Sequence, residues 1–284
     1  MKKRIIAGFL TMVMAMSMVA CGGSQNASTS ENSDSAAAET TEATEAEATE
    51  SDTAYIQEKG KLIVGITDFA PMDYKDDKGE WIGFDADMAR KVAESMNVEV
   101  EFVEIDWDNK ILELENKSID VVWNGMTLTP EVTNAMACTN AYCNNAQVVV
   151  VKADVADDYK DVESLADLTF AVESGSAGEA AANDNGFNVV AVKSQADAVM
   201  EVAAGTSDAC IIDLLMAGAM IGEGTSYPEL AHTVELTTEE YGVGCRKGSD
   251  LADYINEQFK ALYDDGTMAE IATKYGVQDA VVAQ

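Results

Sequence analysis
An α/β fold with largely parallel sheets is what the sequence predicts, and two observations carry the expectation. From about Tyr55 onward, β-rich runs alternate with helical patterns, the order expected when helices cover a sheet. The 284 residues are 47% hydrophobic and 24% charged, enough apolar material for one large or two medium domains. Residues 62–66, 98–105, 120–123, 147–152, 169–173, 188–193, 209–213 and 242–247 read as strands. Residues 83–96 read as a helix, with Phe84, Met88, Val92 and Met96 on one face and Asp87, Arg90, Lys91 and Glu94 on the other. Residues 251–263 and 267–275 read as two more. Thr129-Pro130-Glu131 has the composition of a helix start, and Ser176-Ala177-Gly178-Glu179 that of a capping box. Periodicity alone leaves open whether the strands form one sheet or two.

The segments before Tyr55 have other tasks. Lys2, Lys3 and Arg4 precede an apolar run that ends in Met18-Val19-Ala20, followed by Cys21-Gly22-Gly23. A positive start, an apolar stretch too short to span a bilayer comfortably and a small residue before a cysteine predict export of the chain. Residues 1–20 resemble a bacterial lipoprotein signal, which implies lipidation of Cys21 and an anchor on the outer face of the cell membrane, or on the periplasmic side where there are two membranes. Residues 21–54 then read as an acidic linker. From residue 24 they contain no aromatic residue, no Leu, Ile or Val and no positive charge, so they cannot offset their chain entropy by burial. Mutual repulsion among Glu39, Glu42, Glu45, Glu47 and Glu50 extends that tether.

Composition also excludes function classes. With 18 Lys and Arg against 51 Asp and Glu, the formal charge is −33, and removal of Lys2, Lys3 and Arg4 with the leader takes it to −36. Such a surface repels phosphate backbones, so nucleic acid is not an expected partner. One histidine, His232, and five cysteines without paired Cys/His spacing supply no ligand set for a metal, and no cofactor is expected. His232 alone is a poor basis for a Ser-His-Asp hydrolase.

The motifs within the body point to a family. Residues 61–66, then Ala70-Pro71-Met72, then Gly83-Phe84-Asp85-Ala86-Asp87-Met88 resemble the opening of the solute-binding proteins of polar amino-acid ABC transporters, the bacterial extracellular solute-binding proteins of family 3. The likeness continues through Ile119 to Thr129, Gly175-Ser176-Ala177-Gly178, Gly266-Thr267 and Lys274-Tyr275-Gly276, in the family's order. The resemblance implies a two-lobe periplasmic-binding-protein-like clamshell of type II. Lobe 1 would comprise residues 55–145 and 241–284, lobe 2 residues 147–239, with two crossing hinge strands near 144–147 and 239–241. It implies a monomer that holds an amino acid, or a related small amine, cationic amines included, between the lobes and delivers it to the permease and ATPase of an importer. It implies no catalytic residue. The alternative is an enzyme on the same scaffold, of the cyclodehydratase-like type, for which Glu173 is the one acid-base candidate.

By position in these motifs, Phe69 and Trp107 are the expected aromatic walls, and Asn124, Gly125 and Thr127 the polar rim of lobe 1. Glu173, Ser176 and Ala177 are the expected first contact loop of lobe 2. Asp213 is the expected acceptor of a ligand ammonium, since it ends the apolar strand Ala209-Cys210-Ile211-Ile212, where open α/β sheets place their ligands. One position departs from the family. The arginine that would clamp a ligand carboxylate in two-pronged fashion is Val132, within Pro130-Glu131-Val132-Thr133. Arg90 and Arg246 are the only arginines beyond the leader, and neither is a natural replacement. Asp68, Glu131, Glu173 and Asp213 meanwhile fall on or beside the expected cleft, a charge balance suited to a cationic ligand. Four cysteines of the body, Cys138, Cys143, Cys210 and Cys245, allow three pairings; Cys138 and Cys245 are expected on neighbouring strands of lobe 1, and Cys210 as a buried free thiol.

Overall fold
The computed structural model describes residues 51–284; the leader, Cys21 and most of the linker lie outside the described residues. The folded body begins earlier than Tyr55. Ser51 caps helix α1 (Asp52–Lys59) by accepting from the Ala54 N–H, and Asp52 lies in an ion pair with Arg246 at 2.9 Å. Residues 51–54, expected as the end of the tether, are therefore part of the body, because a cap and a partly buried ion pair offset the entropy of ordering them.

Lobe 1 follows with β1 (Lys61–Ile66), the short hairpin β2 (Tyr74–Lys75) and β3 (Trp81–Ile82), and α2 (Phe84–Ser95). β4 (Glu99–Glu104), α3 (Lys110–Glu115), β5 (Val121–Thr127), α4 (Pro130–Ala135) and β6 (Ala137–Cys138) complete its first pass. β7 (Cys143–Lys152) crosses into lobe 2, which contains β8 (Thr169–Glu173), α5 (Ala177–Asp184), β9 (Asn188–Val192), α6 (Gln195–Ala204), β10 (Ala209–Asp213) and α7 (Leu214–Met220). β11 (Leu230–Cys245) returns to lobe 1, where α8 (Leu251–Asp264) and α9 (Thr267–Tyr275) pack.

The strands run in the order β4-β1-β5-β11-β7-β10-β8-β9, with β6 beside β11. Within each lobe the outer pairs are parallel: β1 with β4 and β5, and β8 with β9 and β10. The two crossing strands are antiparallel to each other, with Asn145 opposite Glu239 and Cys143 opposite Tyr241. β11 pairs with β7 along its first part and with β5 from Tyr241 onward, so one strand belongs to both lobes. This is the two-lobe type II arrangement, and it accounts for the antiparallel element in an otherwise parallel design.

The predicted strands and helices all recur, but β5, β7 and β11 are much longer than their apolar cores. Asn144 and Asn145 in β7 and the Glu residues of β11 are poor strand formers, held extended because each crossing supplies the other's hydrogen bonds. Cys138 and Cys245 do lie on adjacent strands, yet Cys245 stands opposite Ala137 and Cys138 opposite Gly244. Successive side chains on a strand point to opposite faces, so the two sulfurs lie on opposite sides of the sheet and no bridge joins them. All four described cysteines are free.

His232 is exposed on β11. Among the described residues no helix is long and apolar enough to cross a membrane, and no group of three or more His, Cys, Asp or Glu is placed to hold a metal ion.

Candidate ligand-binding site
The ends of β5, β8 and β10, the turn after β4 and the start of α5 surround a cavity of about 240 Å³ between the lobes. Trp107, Asn124, Gly125, Thr127, Glu173, Ser176, Ala177 and Asp213 all line it. Asp68 and Phe69 do not. Along that extended segment alternate residues turn inward, so Thr67 and Phe69 are buried and Asp68 is exposed to solvent. Phe69 is core rather than wall. It lies edge-on to Tyr241 at 6.3 Å, and a Cβ added at Gly125 would come within 2.4 Å of its ring. Gly125 has φ +55°, and its N–H donates to Asp85 at 2.7 Å, so the ring and the carboxylate together fix the bend of β5 that faces the cavity.

Lobe 1 presents side chains that are already engaged. The Asn124 amide donates to Asp73 at 2.8 Å and to the Thr67 carbonyl at 3.1 Å, and its oxygen accepts from the Thr67 N–H and hydroxyl. Its side chain therefore braces β1 against β5. The Thr127 hydroxyl donates to Glu239 at 2.9 Å, and Thr129 caps α4 by accepting from the Val132 N–H. Val132 lines the cavity, buried beside Trp107, Met126 and Met136 in an apolar cluster.

The cation of this wall is Lys110, which the sequence reading did not single out. It is 7% exposed and stands at the first residue of α3, one turn after Trp107. Its ammonium lies 5.1 Å from the Trp107 ring centre and donates to the Gly175 carbonyl of lobe 2 at 2.8 Å and, at 3.3 Å, to the Trp107 carbonyl. Burial draws its pKa below the usual lysine range, against the upward pull of Glu131 and Glu173. A signal was present: the i, i+3 spacing of Trp107 and Lys110 places both on one side of the turn.

The lobe 2 wall carries two buried carboxylates in unlike surroundings. Asp213, 3% exposed, accepts from Gln147 at 3.0 Å, from the Tyr241 hydroxyl at 2.5 Å, and from Asn145 and Gln195. Burial and the neighbouring Glu239 raise its pKa well above the carboxylate range. Glu239 accepts from the same Asn145 and Gln147 amides, both at 2.7 Å. Glu173, 2% exposed, has an oxygen, Oε1, with no hydrogen-bond partner. Burial pushes its pKa up to about 8, and the nearby Thr67 and Lys110 offset only part of that shift. Gln147 and Gln195 also line the cavity and were missed, because their partner Asp213 is distant in sequence and only the sheet brings them together.

The lobes touch around this space. Besides Lys110 and Gly175, Lys193 of lobe 2 pairs with Glu104 of lobe 1 at 2.9 Å. Gly175 has φ +72°, and a Cβ there would meet the Asp108 Cα at 2.7 Å, so this seam closes only around a glycine.

The profile of the bacterial extracellular solute-binding proteins, family 3, matches residues 62–278. The chain belongs to that family. It is 30% identical over 229 residues to the arginine-binding extracellular protein ArtP of Bacillus subtilis (strain 168), covering 76% of this chain and 86% of that protein. Among solved structures, an ABC uptake transporter substrate-binding protein from Streptococcus pneumoniae with bound histidine is similar with a TM-score of 0.74 and 28% identity, over 82% of this chain and 99% of that one. An ancestral amino acid-binding protein, described as a precursor of cyclohexadienyl dehydratase, is similar with a TM-score of 0.72 and 32% identity, over 79% and 99% respectively. The chain is thus an extracellular solute-binding protein.

Proposed function
We propose that this solute-binding protein captures a cationic amino acid, or a related small amine, and delivers it to the permease and ATPase of an ABC importer without transforming it. The observation that carries the ligand class is the unpartnered Oε1 of Glu173, buried in a cavity lined by three carboxylates, Glu131, Glu173 and Asp213, against one ammonium, Lys110. A buried carboxylate oxygen without a donor is costly, and a ligand ammonium or guanidinium relieves that cost. Size agrees: pockets for drug-sized ligands run to about 300–1,000 Å³, and 240 Å³ suits a smaller molecule. The arginine-binding relative and the histidine-bound structure support the same class.

Location follows the sequence: Cys21 carries the lipid anchor, the acidic linker spaces the body from the membrane, and the protein acts as a monomer. Retention in the membrane fraction that Cys21→Ala abolishes tests the anchor. A thermal-shift screen of the twenty common L-amino acids tests the ligand class, with arginine, lysine and histidine expected to outrank glutamate and aspartate. Tight binding of an acidic amino acid would overturn it. Conversion of the bound ligand by purified protein would favour the enzyme alternative, with Glu173 as its acid or base.

A further inference from the structure
The arginine fork that Val132 replaces leaves the carboxylate of an amino-acid ligand without its expected partner, and the cavity holds one buried cation to take its place. The geometry points to Lys110 as the residue that binds the ligand carboxylate, with Glu173 holding a positive group of the same molecule. This rests on the reading that the ligand is an amino acid.

Lys110 is the most deeply buried basic residue among those described, and it takes part in no ion pair within 4.0 Å there. Two of its three N–H groups go to carbonyls, one of them at 3.3 Å, and the third has no partner among the described residues. A buried ammonium that meets only neutral acceptors is an incomplete arrangement, since carbonyl dipoles recover less of its lost hydration than an anion does. Glu173 is incomplete in the opposite sense: it lines the same cavity, and its Oε1 has no partner. The two do not hydrogen-bond to each other, although a direct pair would satisfy both. A zwitterion laid between them completes both sites at once, its carboxylate on Lys110 and its cationic group on Glu173.

The position of Lys110 also explains how the chain tolerates Val132. Both residues line the cavity, Lys110 from the start of α3 and Val132 from α4, so the positive charge has moved to a neighbouring element of the same wall. A lysine offers a point charge in place of a planar fork, so the carboxylate is held less directionally and the hydroxyls and N–H groups of the walls set its orientation. Because Lys110 also donates to Gly175, a carboxylate drawn to it sits on the seam between the lobes.

The experiment is calorimetric titration of the full chain, Lys110→Met and Lys110→Gln with L-arginine and with agmatine, which is arginine without its carboxylate. The unmodified chain should prefer L-arginine. Either substitution should lower arginine affinity by about tenfold to a hundredfold, the range of a hydrogen bond to a charged group, and leave agmatine affinity within about threefold. Lys110→Gln keeps a donor for the Gly175 carbonyl, so it separates the charge from the link between lobes and remains informative if Lys110→Met fails to fold. Equal losses for arginine and agmatine would make Lys110 a link between lobes only and overturn the assignment. Equal affinity of the unmodified chain for the two ligands would also overturn it while leaving the cationic ligand class intact. If a neutral or acidic L-amino acid binds instead, the ligand class falls and Lys110 is judged by that amino acid and its α-decarboxylated amine. A chain that binds no amino acid overturns both readings.

Discussion
Glu173 and Asp213 are buried to the same degree in the walls of one cavity, 2% and 3% exposed, yet they are treated in opposite ways. Asp213 stands where β10 meets the crossing strands, and side chains from both of those strands and from α6 donate to it. Glu173 stands at the free end of β8, where no crossing strand passes, and keeps an oxygen without a donor. Burial alone therefore does not mark a ligand group. Asp73 and Asp85 also keep an oxygen without a partner but line no part of the cavity. It is the combination in Glu173, an unsaturated oxygen on a residue of the cavity wall, that suits something arriving from outside, whereas the saturated Asp213 holds the hinge region together.

The largest effect should come from removing the unsaturated charge. Glu173→Gln is expected to weaken a cationic ligand by about 2–5 kcal/mol, the cost of a buried cation left without its partner, while the melting temperature of the empty protein stays level or rises. A titration showing little change in affinity would remove Glu173 from the site.

The second test is pH. With a pKa of about 8 in the empty cleft, Glu173 is mostly protonated at neutral pH and must ionise to pair with a cation. Affinity should then fall as pH drops below 8, to about one hundredth by pH 6 if only the ionised form binds, and binding should release protons measurable in buffers of different ionisation heat. Glu173→Gln should flatten that profile. For the empty protein the sign reverses. A carboxyl whose folded pKa lies above its unfolded value favours the folded state below the unfolded pKa, near 4.5, and that contribution is lost as pH rises through about 8. The buried Asp73, Asp85 and Asp213, all shifted upward mainly by burial, act in the same direction. The ligand-free chain should melt at a higher temperature near pH 5 than near pH 8, and a saturating cationic ligand should narrow the gap.

Asp213→Asn should show the complementary pattern. Its amide donor meets groups that themselves donate, so stability should fall by about 1–3 kcal/mol, the cost of unsatisfied buried polar groups, with a smaller change in intrinsic affinity. A loss confined to affinity, with the melting temperature unchanged, would restore Asp213 as the primary ammonium acceptor. The smallest effect is at the seam. Gly175→Ala should cost about 1 kcal/mol of stability through its positive φ, and its Cβ should hold the lobes apart at Asp108, visible as a larger radius of gyration at saturating ligand.

Residue types and their spacing determined most of the described architecture by themselves: the αβ alternation as hydrophobic period, and the motif order that placed eight of the ten expected ligand contacts on the cavity wall. These are local properties, because a helix face or an apolar strand is written in consecutive residues. Tertiary structure decided the rest. The crossing strands β7 and β11 outgrow their apolar cores because their pairing partner is each other. Phe69 became core rather than wall because β5 bends over it at Gly125. The cation facing the ligand space proved to be Lys110, and of the two buried carboxylates in the cavity wall the one with an oxygen to spare proved to be Glu173 rather than Asp213. Which charge is satisfied depends on donors brought from other strands and from the opposite lobe, and a sequence records each donor without recording which acceptor it will meet.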